Sequence, residues 1–136
     1  MLKSAVASFA LALTVASAVQ AGDAAVGATE FKKCKACHSI IAADGTEIVK
    51  GGKTGPNLYG VIGRKVGSAD FKGYGPAITA IGAKGTQWDE ASLAAYVADP
   101  TAWVQAASGD AGARSKMTFK LAKGGADVAA YLASVK

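Results

Sequence analysis

Three stretches of this chain space their apolar residues as a helix does, and a long stretch between them does not. Over residues 125–135, Val128, Tyr131, Leu132 and Val135 recur at i, i+3, i+4 and i+7, which predicts a closing helix. From Asp89 to about Ala98, Leu93, Tyr96 and Val97 share one face, and Asp99-Pro100 predicts the stop. Near the start, Asp23 predicts the cap of a helix over about 24–36, with Gly27 and Phe31 on one face. Between Asp44 and Gly85 no period of 2 or 3.6 is sustained, so this region reads as loops around something that is not protein. Residues 101–116 are read as a loop whose conformation the sequence leaves open. No repeat or low-complexity segment interrupts the chain.

The first residues have a pattern of their own. Lys3 gives a positive start, Ala5 to Val19 is almost wholly apolar, and Val19-Gln20-Ala21 offers small residues for cleavage. This is the layout of a secretory signal peptide. The apolar run is shorter than the roughly 20 residues that span a bilayer. Residues 1–21 are therefore expected to be removed, leaving 22–136 as one domain, delivered to the periplasm.

Residues 22–136 carry 14 basic and 10 acidic side chains, a balance of +4, and all 17 glycines. That glycine share is about twice the average of roughly 7 %. A domain this small buries only a modest aliphatic core, so something further should hold it together. Disulfides are the usual answer in an exported protein. The chain has two cysteines, however, Cys34 and Cys37, and a bridge closing so short a loop would add little.

Cys34-Lys35-Ala36-Cys37-His38 is C-x-x-C-H, the haem c attachment motif. Two thiols three residues apart on a helical turn can add to the two vinyl groups of one porphyrin, and the next residue, His38, then offers its imidazole to the iron. A thioredoxin-like reading needs a strand–helix alternation that is not present here. A zinc site needs four ligands, and His38 is the single histidine. Met117 is the one methionine left after Met1. A lone methionine is most often core filler, but this one lies in the polar run Arg114-Ser115-Lys116-Met117-Thr118-Phe119-Lys120. A soft thioether favours ferrous iron, so Met117 is the expected sixth ligand. Three or four short helices wrapped on a cofactor is the picture these residues give.

Taken together, these residues resemble a class I cytochrome c of the larger cytochrome c2 type found in α-proteobacteria. The resemblance spans 22–136 and rests on the C-x-x-C-H motif, on Lys53-Thr54-Gly55-Pro56-Asn57-Leu58-Tyr59-Gly60 with Gly63-Arg64, and on Phe71, Tyr74, Trp88, Tyr96 and Asp99-Pro100. Lys116-Met117-Thr118-Phe119 and Ala130-Tyr131-Leu132 complete it. It implies an all-α cytochrome c fold, with three to five short helices and long glycine-rich loops around one covalently bound haem c. By this resemblance the Pro56 carbonyl accepts from the His38 imidazole, Tyr74 and Trp88 bond a haem propionate with Arg64 close by, and the Tyr96 hydroxyl approaches the axial sulfur. Gly27, Phe31, Val128 and Tyr131 would form the crossing of the first and last helices. Fourteen residues separate His38 from Lys53 and 16 separate Pro100 from Met117, lengths that fit the c2 group. A polar haem-edge residue found in many members has no counterpart among Ala77-Ile78-Thr79.

An iron filled on both axial sides has no place for substrate, which leaves electron transfer and no enzymatic activity. A haem peroxidase or a nitrite-reducing cytochrome would need an open position and a distal acid–base group, and the sole histidine is already used. A cytochrome c′ would be a four-helix bundle with its motif near the C-terminus, whereas this motif begins at residue 34 of 136. Lys35, Lys53, Lys116, Lys120 and Lys123 flank the haem-binding segments and are expected to face acidic surfaces of redox partners. The resemblance implies a monomer taking electrons from a cytochrome bc1 complex. It would pass them to a photosynthetic reaction centre, a terminal oxidase or a denitrification enzyme.

Overall fold

The computed structural model describes residues 21–136, so the expected signal peptide lies, up to Gln20, outside the described residues. Helix α1 (Ala24–Glu30) begins where Asp23 predicts it. The Asp23 carboxylate accepts the N–H groups of Ala25 at 2.8 Å and Val26 at 3.1 Å, donors that no helical carbonyl can reach. The helix is shorter than the expected 24–36. After Glu30 it tightens into a single 3₁₀ turn, Phe31–Lys33, and the Cys34 N–H closes on the Phe31 carbonyl.

Helix α5 (Gly125–Ser134) crosses α1, as the apolar spacing of both requires. A Cβ on Gly27 would lie 1.9 Å from the Asp127 carbonyl oxygen, so only glycine admits this approach. Phe31 and Tyr131 meet with ring centroids 5.7 Å apart, and the Asp23 N–H donates to the Asp127 carboxylate at 2.8 Å. Val128 and Leu132 turn inward beside Leu93 and Val97 of α3 (Glu90–Ala98), and all four are buried. Asp89 and Ser92 cap α3 reciprocally, each side chain accepting the other's backbone N–H.

Two expectations need correction. Asp99-Pro100 ends α3 but also starts a helix in the stretch expected to be a loop. The Asp99 side chain accepts the Ala102 N–H at 3.0 Å, Pro100 takes the first helical position, and α4 runs Pro100–Ser108. The stretch 44–85 is not all loop either. It contains α2 (Pro76–Ala83), whose buried face is Ile78, Ile81 and Gly82. Here a glycine does the work of an apolar residue. A Cβ on Gly82 would sit 1.9 Å from the Val66 carbonyl oxygen, and a buried glycine is invisible to a search for hydrophobic periodicity. A two-stranded antiparallel hairpin, β1 (Ile40–Ile41) with β2 (Glu47–Val49), pairs Ile40 with Val49 and adds a small sheet to an otherwise helical domain.

Candidate haem-binding site

Among the described residues, helices and loops together line a cavity of about 320 Å³, walled mainly by apolar side chains. Cys34, Cys37, His38 and Met117 all line it, together with Pro56, Arg64, Tyr74, Trp88 and Tyr96. Residues from both ends and the middle of the chain therefore meet in one place.

On the cysteine side, backbone bonds fix the geometry. The His38 N–H reaches the Cys34 carbonyl at 2.9 Å, the Gly52 N–H reaches Lys35 at 2.8 Å, and the Gly55 N–H reaches Cys37 at 2.8 Å. His38 Nδ1 donates to the Pro56 carbonyl at 2.8 Å, which leaves the Nε2 lone pair for a metal. Burial holds His38 below the usual histidine value against the opposing pull of that carbonyl, so the neutral, ligating form is favoured. The Gly55 backbone packs close against the ring, and a Cβ there would come within 2.4 Å of Cε1. Asn57 is a residue whose part the sequence did not disclose. Its side chain exchanges two hydrogen bonds with the Ile41 backbone, at 2.8 and 2.9 Å, and so pins the Pro56 turn to β1. Cys34 is half-buried, which pushes its thiol up, and Cys37 is exposed.

The methionine side is built differently. Met117 sits in irregular chain and is held by its neighbours' side chains. Its N–H donates to Ser115 Oγ at 3.1 Å, and the Ser115 N–H donates to Thr101 Oγ1 at 3.3 Å. Tyr96 lines the cavity, but the hydrogen-bond partner of its hydroxyl is Ser115 Oγ at 3.1 Å. Burial raises Tyr96 above the usual phenol value, so it stays protonated at neutral pH.

Trp88 and Arg64 are brought side by side by two backbone bonds, Trp88 N–H to Arg64 at 2.9 Å and Gly63 N–H to Trp88 at 2.7 Å. Trp88 also stacks on Trp103 with centroids 4.7 Å apart, a partner that no sequence pattern announced because it belongs to the unforeseen α4. Arg64 Nη1 donates to the carbonyls of Asn57 and Tyr59, at 3.1 and 3.2 Å, while its buried Nε has no hydrogen-bond partner among the described residues. A half-buried guanidinium whose buried Nε is an unspent donor suits an anion. Tyr74 stands edge-on to Phe71, and its hydroxyl oxygen accepts the Ala69 N–H at 3.2 Å, which leaves its own proton to give. The residues present fit a haem: two thiols beside a neutral imidazole, a thioether, apolar walls, and unspent donors able to take its carboxylates. Ile78 is a buried part of the apolar wall.

Lys35, Lys53, Lys116, Lys120 and Lys123 are all exposed. Lys116 lines the cavity mouth with its stem against Gly75, and Phe119 beside it is 45 % exposed. Lys120 is paired with Asp99 at 2.7 Å rather than standing free. Lys35 lies between the two cysteines and Lys53 precedes Thr54 of the cavity wall, but of the five lysines Lys116 alone lines the cavity itself.

No family model matches the chain. Individual proteins do. Cytochrome c2 of Rhodobacter capsulatus is 60 % identical over 125 residues, covering 91 % of this chain and 90 % of that protein. Cytochrome c-550 of Paracoccus versutus is 54 % identical over 126 residues, covering 91 % and 82 %. Among solved structures, the R. capsulatus cytochrome c2 superposes with a TM-score of 0.82 over 84 % of this chain and 98 % of that one. Ferric P. versutus cytochrome c-550 gives 0.80 over the same shares. Identity of this degree along nearly the whole length, on the same fold, places the chain in the class I cytochromes c, in the cytochrome c2 group of single-haem electron carriers with one covalent haem c.

Proposed function

We propose that this protein is a periplasmic electron shuttle that catalyses no reaction of its own. In this reading Cys34 and Cys37 would tether the haem, and His38 and Met117 would hold its iron. The observation that carries it is the meeting of all four side chains in one cavity, with His38 Nδ1 already spent on Pro56. Bound haem supplies an iron that moves between ferric and ferrous by one electron. The protein's part is to keep that iron closed. Pro56 orients His38, Ser115 holds the Met117 backbone, and the apolar wall of Phe31, Leu58, Ile78, Leu93 and Leu132 keeps water away. Arg64, Tyr74 and Trp88 are the groups that would neutralise and bond the propionates. If His38 and Met117 hold the iron in both oxidation states, little would have to reorganise.

The exposed lysines at and around the cavity mouth would meet acidic surfaces on larger redox proteins, with a cytochrome bc1 complex as donor and a reaction centre, oxidase or denitrification enzyme as acceptor. Such charges raise the rate of encounter and fix orientation. Carbon monoxide tests the closed iron: the reduced protein's spectrum should not change under the gas, and a carbonyl spectrum would overturn the electron-carrier reading. Ionic strength tests the docking surface, since charges farther apart than about 8 Å are screened at physiological salt. Electron transfer to a bc1 complex should slow as salt rises, and more gently for Lys116→Glu. A rate indifferent to salt would remove the lysines from the account.

A further inference from the structure

Ser115 is 8 % exposed in a run whose other polar members, Arg114, Lys116, Thr118 and Lys120, all face solvent. Burying a serine costs free energy unless its hydroxyl is used, and here it is used twice. Its oxygen accepts the Met117 N–H at 3.1 Å and lies 3.1 Å from the Tyr96 hydroxyl, while its own N–H is held by Thr101 Oγ1. A serine hydroxyl offers one proton and two lone pairs. With one lone pair given to Met117, the contact with Tyr96 can run in two directions. If Tyr96 donates, its proton is spent on Ser115. If Ser115 donates, the Tyr96 proton is free for an acceptor inside the cavity that Tyr96 and Met117 both line.

We infer that Ser115 is the positioning residue of the methionine side. Its hydroxyl anchors the Met117 main chain and, by donating to Tyr96, leaves the Tyr96 proton directed into the cavity. No other hydrogen bond reaches the Met117 backbone among the described residues, so this one hydroxyl governs how readily the thioether leaves its place. The inference rests on the reading of Met117 as a ligand, and the experiment separates the two.

Cyanide binding to the ferric holoprotein reports displacement of the sixth ligand, and the midpoint potential reports the thioether's surroundings. Ser115→Ala should bind cyanide about tenfold faster, since the lost anchor is worth roughly 1.4 kcal/mol, and should shift the potential. Ser115→Thr, which keeps a hydroxyl, should stay within a few-fold of the parent on both. In a Tyr96→Phe background Ser115→Ala should still speed cyanide binding but no longer move the potential, because that effect passes through the tyrosine proton. Parental cyanide rate and potential in Ser115→Ala overturn the inference, provided Met117→Ala binds cyanide fast. If Met117→Ala is also indistinguishable from the parent, it is the ligand assignment that has failed. Should Ser115→Ala not accumulate with haem, Thr101→Val removes only the acceptor of the Ser115 N–H. It should speed cyanide binding by a smaller factor, and parental behaviour there overturns the inference equally.

Discussion

The two sides of the cavity are held by different kinds of bond. On the cysteine side, backbone groups of residues 35 to 58 bond one another, the hairpin braces them, and Pro56 reaches His38 through a main-chain carbonyl. On the methionine side, among the described residues, no backbone-to-backbone hydrogen bond involves residues 114–120; Ser115, Thr101 and the Lys120–Asp99 pair hold that segment. Side-chain bonds can be lost one at a time without dismantling secondary structure. The lesson is a division of labour: the cysteine side should fail by unfolding and the methionine side by opening.

Replacing both Cys34 and Cys37 with serine is the strongest test of the first half. The cavity would lose the cofactor that fills it, and binding free energy is folding free energy when only the folded state binds. Expressed in the periplasm without bound haem, the chain should lack the near-ultraviolet circular dichroism of packed aromatics. A native-like spectrum would break the comparison at its firmest point.

Met117→Ala tests the second half. The domain should stay folded, take up carbon monoxide when reduced, and drop in potential by a sizeable part of the roughly 0.8 V that axial ligand choice spans. An unchanged potential with carbon monoxide still excluded would show that another residue closes the iron.

Gly55→Ala should sharpen the contrast with a smaller effect. A methyl 2.4 Å from His38 Cε1 must push the ring or the turn aside, and overpacking of this kind costs about 1–3 kcal/mol. Thermal unfolding of the holoprotein should fall by roughly 4–8 °C per kcal/mol, with cyanide binding little altered. A gain in cyanide rate without loss of stability would reverse the assignment of roles.

The smallest effect is expected at Asp99, whose pair with Lys120 is largely in solvent, at 41 % and 59 % side-chain exposure. Lys120 and the Ala102 N–H hold the Asp99 carboxyl below its usual range. A carboxyl depressed in the folded state stabilises above its unfolded value, about 3.9, and ceases to as pH falls through the lower folded value. Asp99→Asn should therefore bind cyanide slightly faster than the parent at neutral pH, and more so in low salt. The gap should close only in strong acid. A gap that closes near neutrality would point to another titrating group.

The sequence by itself determined the chemistry and the framework. C-x-x-C-H is local, a single histidine and a single remaining methionine leave little choice, and the apolar stripes of α3 and α5 declare their buried faces. What only the tertiary structure decided lies in positions whose meaning depends on a distant partner. Gly82 hid α2 because its role is to let the Val66 backbone in, which no hydropathy pattern records. Asp99-Pro100 reads locally as a stop, and only the fold turns the same pair into the cap of α4, which brings Trp103 onto Trp88. Asn57 and Ser115 look like ordinary polar loop residues until the Ile41 backbone and the Tyr96 hydroxyl are brought to them across 16 and 19 residues of chain. Covalent and ligating chemistry is written in residue type and spacing. Second-layer support depends on which polar atoms are buried together, and that exists only once the chain has closed around its cavity.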